Sequence, residues 1–212
     1  MARKHSVENW LPLRPADGQR LLSALRVPWW VAGGWAIDLF AGCQSRPHKD
    51  LDIGILRRDS LLVIAALPSW EFHEAKGGNL MRLRDGCMPR IDVNSLWCKP
   101  AGATQWVLEL MLDNADGDRW IFRRDGQIQC PLATAIRRDD DGIPFLAPEI
   151  QLLYKAHAPR TQDQADFDLI APRLGPAAQA WLRGALAKTD PANGWLSILE
   201  TANWRNSNAC SQ

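Results

Sequence analysis

The chain has 212 residues, enough for one large domain or two small ones, and its 25 Lys and Arg against 24 Asp and Glu leave a formal net charge of +1. That balance excludes a bulk attraction to nucleic acid or an anionic membrane, so any affinity for anions must be local. Five cysteines without a C-x-x-C pair argue against a zinc ribbon or a disulfide framework, and no window nears the ~18 apolar residues of a membrane span, so a soluble cytoplasmic protein with reduced thiols is expected.

In chain order, GQRLLSALR (18–26) has helical spacing and is broken at Pro28, after which WWVA reads as a short apolar strand. Gly33 and Gly34 follow, then WAIDLFA, an amphipathic helix ended by Gly42. A polar loop, CQSRPHK, leads into DLDIGIL, whose alternation predicts a strand, and RDSLLVIAAL predicts a helix capped by Asp59 or Ser60. WEFHEA, NLMRLRD and RIDVNSLW are three further predicted strands, and Asp125-Gly126 inside WIFRRDGQIQC signals a hairpin. Most of the eleven tryptophans, among them Trp29, Trp30, Trp106 and Trp181, have apolar neighbours and are expected to pack.

From Pro148 the pattern turns helical, in PEIQLLYKAHA, DQADFDLIAPRL, AAQAWLRGALA and GWLSILETANW. The expected class is therefore α+β: a mixed-sheet domain with flanking helices over 1–145, a small helical bundle over 146–206, and a disordered tail over 207–212. The run Asp139–Asp141 before Gly142 reads as a turn.

The chemistry gathers around RPHKDLDIGI. Side chains alternate along a strand, so Asp50 and Asp52 share one face while Leu51, Ile53 and Ile55 share the other, with the aspartate Cα atoms ~6.6 Å apart. Two carboxylates at ~4 Å repel by ~1 kcal/mol in water and ~4 kcal/mol at an effective dielectric of 20. A semi-buried pair therefore needs a counter-charge, and oxygen-only ligands favour Mg²⁺ or Mn²⁺. A D-x-D alone is equally a solvated strand end. In RIDVNSL, Asp92 alternates with Ile91 and Val93 and offers a third carboxylate, while Gly33-Gly34 before a helix provides amides for phosphate oxygens.

Together, VAGGWAIDLFAGCQSRPHKDLDIGI (31–55), RIDVNSL and PFLAPEIQLLYKA resemble the nucleotidyltransferase superfamily, and within it the aminoglycoside 2''-nucleotidyltransferase group and its lincosamide-modifying relatives. The resemblance implies transfer of a nucleoside monophosphate from a Mg²⁺-bound nucleoside triphosphate, ATP by preference, to a small-molecule hydroxyl. By position it implies that Asp50, Asp52 and Asp92 hold metal, with Asp92 as proton acceptor or as a further ligand only. Gly33 and Gly34 would cradle phosphates, Arg46 and His48 would flank the nucleotide, and Lys155 would reach the triphosphate.

Each residue also has a plainer reading. Lys155 is a solvated helix lysine if the resemblance is set aside, Arg46 and His48 are loop residues, Tyr154 packs, and Asp163, Asp166 and Asp168 cap and solvate a helix. Other functions stay open: modification of a protein or RNA, as in toxin-like relatives, or nucleotide binding without turnover. No Walker, dinucleotide-binding, zincin or nucleophile-elbow motif competes, no basic stripe suggests a nucleic-acid partner, and monomer and dimer are equally compatible with the sequence.

Overall fold

A computed structural model describes residues 9–200; the expected tail, 207–212, and the end of the last helical segment lie outside the described residues. The first helix, α1 (Pro15–Leu21), starts earlier than its apolar spacing suggested. Pro15 occupies the first helical position, where its missing N–H is not needed, and the Asp17 carboxylate accepts the Arg14 amide at 2.8 Å. Strand β1 (Trp29–Val31) then runs into α2 (Gly33–Ala41), which Gly42 ends in the left-handed conformation. Next come β2 (Asp52–Leu56), a 3₁₀ turn (Arg57–Asp59) and α3 (Ser60–Ala66).

The middle of the chain supplies β3 (Trp70–Lys76), β4 (Asn79–Arg82), β5 (Ser95–Pro100), β6 (Leu108–Asp116), β7 (Arg119–Ile121) and β8 (Gln129–Pro131). After α4 (Leu132–Ala135), β9 (Ile136–Arg138) and β10 (Pro144–Leu146), the chain is helical: α5 (Pro148–Lys155), α6 (Thr161–Ile170), α7 (Pro176–Thr189) and a segment starting at 195. The strands form a mixed sheet in the order β4-β3-β5-β6-β2-β1-β10-β9, with β7 and β8 continuing from β6. The β2–β6 and β1–β10 pairs are parallel and the other pairs antiparallel, which is the expected mixed-sheet α+β class. No helix among the described residues is long and apolar enough to cross a membrane.

The core explains the central order. Ile53 and Ile55 of β2 and Leu108, Leu110 and Leu112 of β6 are fully buried. Each such side chain is worth ~1.5–3 kcal/mol relative to exposure, so a one-residue slip of β2 against β6 is strongly disfavoured. That register carries the other face of both strands, and with it Asp52 and Glu109, into the site.

Three local expectations differ from the structure. RIDVNSLW forms a strand only from Ser95: Ile91 and Asp92 lie in a turn, and Ile91 is 82% exposed, so its apparent alternation with Val93 marks no buried face. The longest strand, β6, lies in WVLELMLDNAD, where no element is predicted above. In WIFRRDGQIQC the two strands pair, but the connection spans 122–128, with the Asp125 carboxylate accepting the Gln127 amide at 2.9 Å in place of a two-residue turn. The Asp139–Asp141 run is the expected turn, closed by the Ile143 amide donating to Asp139 Oδ1 at 2.7 Å.

Candidate active site

Asp52 opens β2 directly opposite Glu109 of β6, and Asp50 sits two residues earlier, in the bend before the strand. All three line one cleft of about 790 Å³. Burial pushes the Asp52 carboxyl well above the usual range, and the neighbouring Glu109 and Asp50 charges add to it, against the opposing pull of Lys155 and Lys49. Burial raises Glu109 as well, assisted by Asp50, although Ser95 Oγ donates to its Oε1 at 2.6 Å. The protein thus sets three acidic groups together with little positive charge to compensate them.

Asp92 is not the third member. It is half exposed, lies outside the cleft and is ion-paired to Lys76 at 2.5 Å, a contact that holds its carboxyl below the usual range. The physical reason is the turn that carries it, which ends before β5 begins. Glu109 is the carboxylate that stands opposite Asp52 in the cleft, and its signal was legible: in LELMLD, Glu109, Met111 and Asp113 alternate with three buried leucines.

Gly33 has φ +64°, and a Cβ there would fall 1.9 Å from Asp52 Oδ2, so both its backbone and its neighbour require glycine. Its amide, at the start of α2, donates to Gln151 Oε1 of α5 at 2.8 Å. A Cβ on Gly34 would fall 2.4 Å from Arg46 Nη2, so the second glycine admits the RPHK loop to the cleft.

Within that loop, Arg46 Nη1 lies 3.0 Å from His48 Nδ1. A guanidinium only donates, so Nδ1 accepts and the opposite Nε2–H donates to Asp38 Oδ2 at 2.5 Å. Trp35 packs on the imidazole at 4.3 Å between centroids, and Ser45 Oγ donates to the other Asp38 oxygen. Asp38, the one acid in an otherwise apolar helix, is therefore the anchor of the loop.

Lys155 lines the same cleft from the end of α5 and is not solvated. Its Nζ lies 2.9 Å from Asp163 Oδ1 and 2.8 Å from Asp166 Oδ2, and Arg46 Nη2 is 3.4 Å from the same Asp166 oxygen. Asp163 does cap α6, through the Arg160 amide, but both acids are buried rather than solvated. Burial alone would raise the Asp163 carboxyl; hydrogen bonds from Arg160 and Lys155 outweigh it and hold the group far below its usual range. Tyr154 packs on Phe122 as expected, and its hydroxyl also donates to Asp113 Oδ1 at 2.9 Å.

Among the described residues no three metal-binding side chains are already drawn into a coordination shell. The donors nonetheless suit a hard divalent cation: all are carboxylate oxygens, and the repulsion within the set is what such a cation would relieve.

A mixed sheet, a glycine-opened helix, a D-x-D entering one strand and a third carboxylate on its parallel neighbour define a nucleotidyltransferase. The chain belongs to the aminoglycoside-2''-adenylyltransferase family, whose pattern matches residues 19–169. It is 24% identical over 136 residues to a lincosamide resistance protein of Staphylococcus haemolyticus, a match spanning 63% of this chain and 77% of the relative. Among solved structures, it shares its fold with the lincosamide antibiotic adenylyltransferase LnuA bound to lincomycin (TM-score 0.51, 20% identity, 76% of this chain and 96% of that one). It shares it too with ANT(2'')-Ia in complex with adenylyl-2''-tobramycin (TM-score 0.51, 17% identity, 80% and 92%).

Proposed function

We propose that this enzyme transfers AMP from magnesium-bound ATP to a hydroxyl of an aminoglycoside or lincosamide antibiotic, releasing pyrophosphate. The observation that carries the reading is the register of Asp52 against Glu109, with Asp50 beside them, on the floor of a cleft that Gly33 and Lys155 also line.

Asp50, Asp52 and Glu109 are the residues that would hold Mg²⁺ or Mn²⁺, whose contribution when bound is to neutralise charge on the phosphates and orient them. The amides of α2 that follow Gly33, whose own N–H is held by Gln151, and the cations of Arg46 and Lys155 would bind and align the triphosphate. Lys155 reaches this task already held between two buried carboxylates, which fixes its position in advance. As the acceptor oxygen bonds to the α-phosphorus, the bond to the departing pyrophosphate breaks. Glu109 is placed to take the hydroxyl proton, and its burial favours a proton acceptor; such a group supplies roughly 10²–10⁴-fold. The His48 tautomer imposed by Arg46 and Asp38 keeps the RPHK loop in place beside the nucleotide.

The test is transfer of radiolabel from ATP in the presence of Mg²⁺ to a panel of aminoglycosides and lincosamides. Labelled acceptor is expected with the native chain and none with Asp50→Asn or Asp52→Asn, whose folding should be intact by circular dichroism. No labelled acceptor anywhere in the panel, or near-native activity in either variant, would sink the assignment.

A further inference from the structure

The cleft continues beyond the carboxylates, and the rest of its floor has no part in the chemistry so far described. Asp52, Gly54 and Leu56 share one face of β2, and Glu109, Met111 and Asp113 the matching face of β6, in parallel register. Trp30 of β1 is paired with Gly54, and a Cβ on Gly54 would fall 2.0 Å from Trp30 Nε1. The indole edge therefore lies across the empty glycine position, on the face that carries Asp52. Trp30 lines the cleft, is fully buried, and its Nε1–H has no hydrogen-bond partner. An indole N–H buried without a partner beside a glycine position is a donor that an oxygen entering the cleft over Gly54 would satisfy.

Past Met111 the floor ends at Arg123, whose guanidinium stands 4.7 Å from the centroid of the Tyr154 ring and makes no ion pair among the described residues. Two of the carboxylates that line the cleft, Asp113 beside Arg123 and Asp163, are already engaged. Asp113 accepts the Tyr154 hydroxyl at 2.9 Å and Trp120 Nε1–H at 3.0 Å, and Asp163 is shared by Lys155 and Arg160. The remaining acids that line the cleft are Asp50, Asp52 and Glu109, the set assigned to the metal. Several ammonium groups on one acceptor would find no free carboxylate here, and would meet Arg123 in a cleft that Arg46, Lys49, Lys155 and Arg160 also line.

We infer that Trp30, Met111 and Arg123 form the acceptor subsite, and that it selects an oxygen-rich hydroxyl compound carrying at most one positive charge over a polycation. The inference rests on the transfer reading above and narrows its acceptor class. Trp30 donates to an acceptor oxygen, Met111 offers an apolar surface to the ring, and Arg123 excludes clustered ammonium groups.

The experiment uses the full chain with Mg²⁺ and ATP and measures pyrophosphate release with lincomycin and with tobramycin as probes. Intrinsic tryptophan fluorescence titrated with Mg·ATP is read separately. The expected kcat/KM is at least roughly tenfold higher for lincomycin, the difference one misplaced like charge produces. Arg123→Glu should shrink that ratio by roughly tenfold while Mg·ATP binding stays at the native level; Arg123→Gln should have an intermediate effect. Trp30→Phe, which keeps the ring and removes the N–H, should raise KM for lincomycin with little change in Mg·ATP binding. A preference for tobramycin, a ratio unmoved by Arg123→Glu, or bound Mg·ATP with transfer to neither probe overturns the subsite. Failure to bind Mg·ATP at all removes the transfer reading itself and the subsite with it.

Discussion

Replacing Gly33 by alanine separates backbone strain from damage to the site. The residue has φ +64°, where a left-handed conformation costs an alanine ~1–2 kcal/mol. The new Cβ would also stand 1.9 Å from Asp52 Oδ2, whereas an ordinary C···O contact is ~3.3 Å, so the carboxylate or the start of α2 must retreat by about 1.4 Å. Turning Asp52 off its rotamer adds ~0.5–1.5 kcal/mol. At ~2–4 °C per kcal/mol for a chain of this size, the melting temperature should fall by roughly 3–14 °C. Activity should fall much further, because a displacement of ~1 Å in a reacting constellation costs ~10²-fold. Gly42→Ala is the matched control: φ is +73°, and a Cβ there meets nothing within 4 Å. It should share the conformational part of the melting loss and keep its kcat within ~2-fold. Calorimetry and pyrophosphate release under identical conditions give both quantities. A Gly33→Ala enzyme with kcat within ~3-fold of native, or a Gly42→Ala enzyme as inactive as Gly33→Ala, would refute the claim that the glycine exists to let Asp52 hold its place.

Glu109→Gln should lower kcat by roughly 10²–10⁴-fold in the same transfer assay, while Asp92→Asn, which breaks one exposed ion pair, should change it less than ~2-fold and leave the melting temperature near the native value; the opposite ranking would return the third carboxylate to Asp92. Because the folded state holds the Asp163 carboxyl far below its ordinary ~3.9, the stability it confers is complete above that value and is lost as pH falls below ~4 toward the folded pKa. The melting-temperature gap between the native chain and Asp163→Asn should accordingly be widest near pH 6–7 and narrow on acidification below ~4, and a gap unchanged down to pH 2 would contradict the pairing with Lys155 and Arg160.

What the sequence made legible follows from how local each signal is. VAGGWAIDLFAG and DLDIGIL state their strand, glycine-opened helix and strand in consecutive residues, and the structure builds β1, α2 and β2 from them in that order. Gly33, Gly34, Arg46, His48, Asp50, Asp52 and Lys155 all line one cleft. Asp92 and Glu109 show where such reading breaks down. Both alternate with apolar neighbours, Glu109 over the six residues of LELMLD and Asp92 over three, and alternation over three residues does not distinguish a turn from a strand. What distinguishes them is the partner: Glu109 belongs to a strand whose leucines are all buried against β2, whereas Ile91 beside Asp92 is turned out to solvent. The buried pairs of Lys155 were illegible for a related reason. Asp163 and Asp166 have the composition of a solvated helix start, and only the packing of α6 against α5 and α2 makes them counter-charges of a lysine and an arginine brought from two other segments. A carboxylate's role in this fold is thus set by which cation reaches it. Asp92 has Lys76, Asp163 and Asp166 have Lys155, Arg160 and Arg46, and Asp50 meets only the exposed Lys49, at 3.9 Å, while Asp52 and Glu109 have no ion pair among the described residues, which leaves charge enough for a divalent ion.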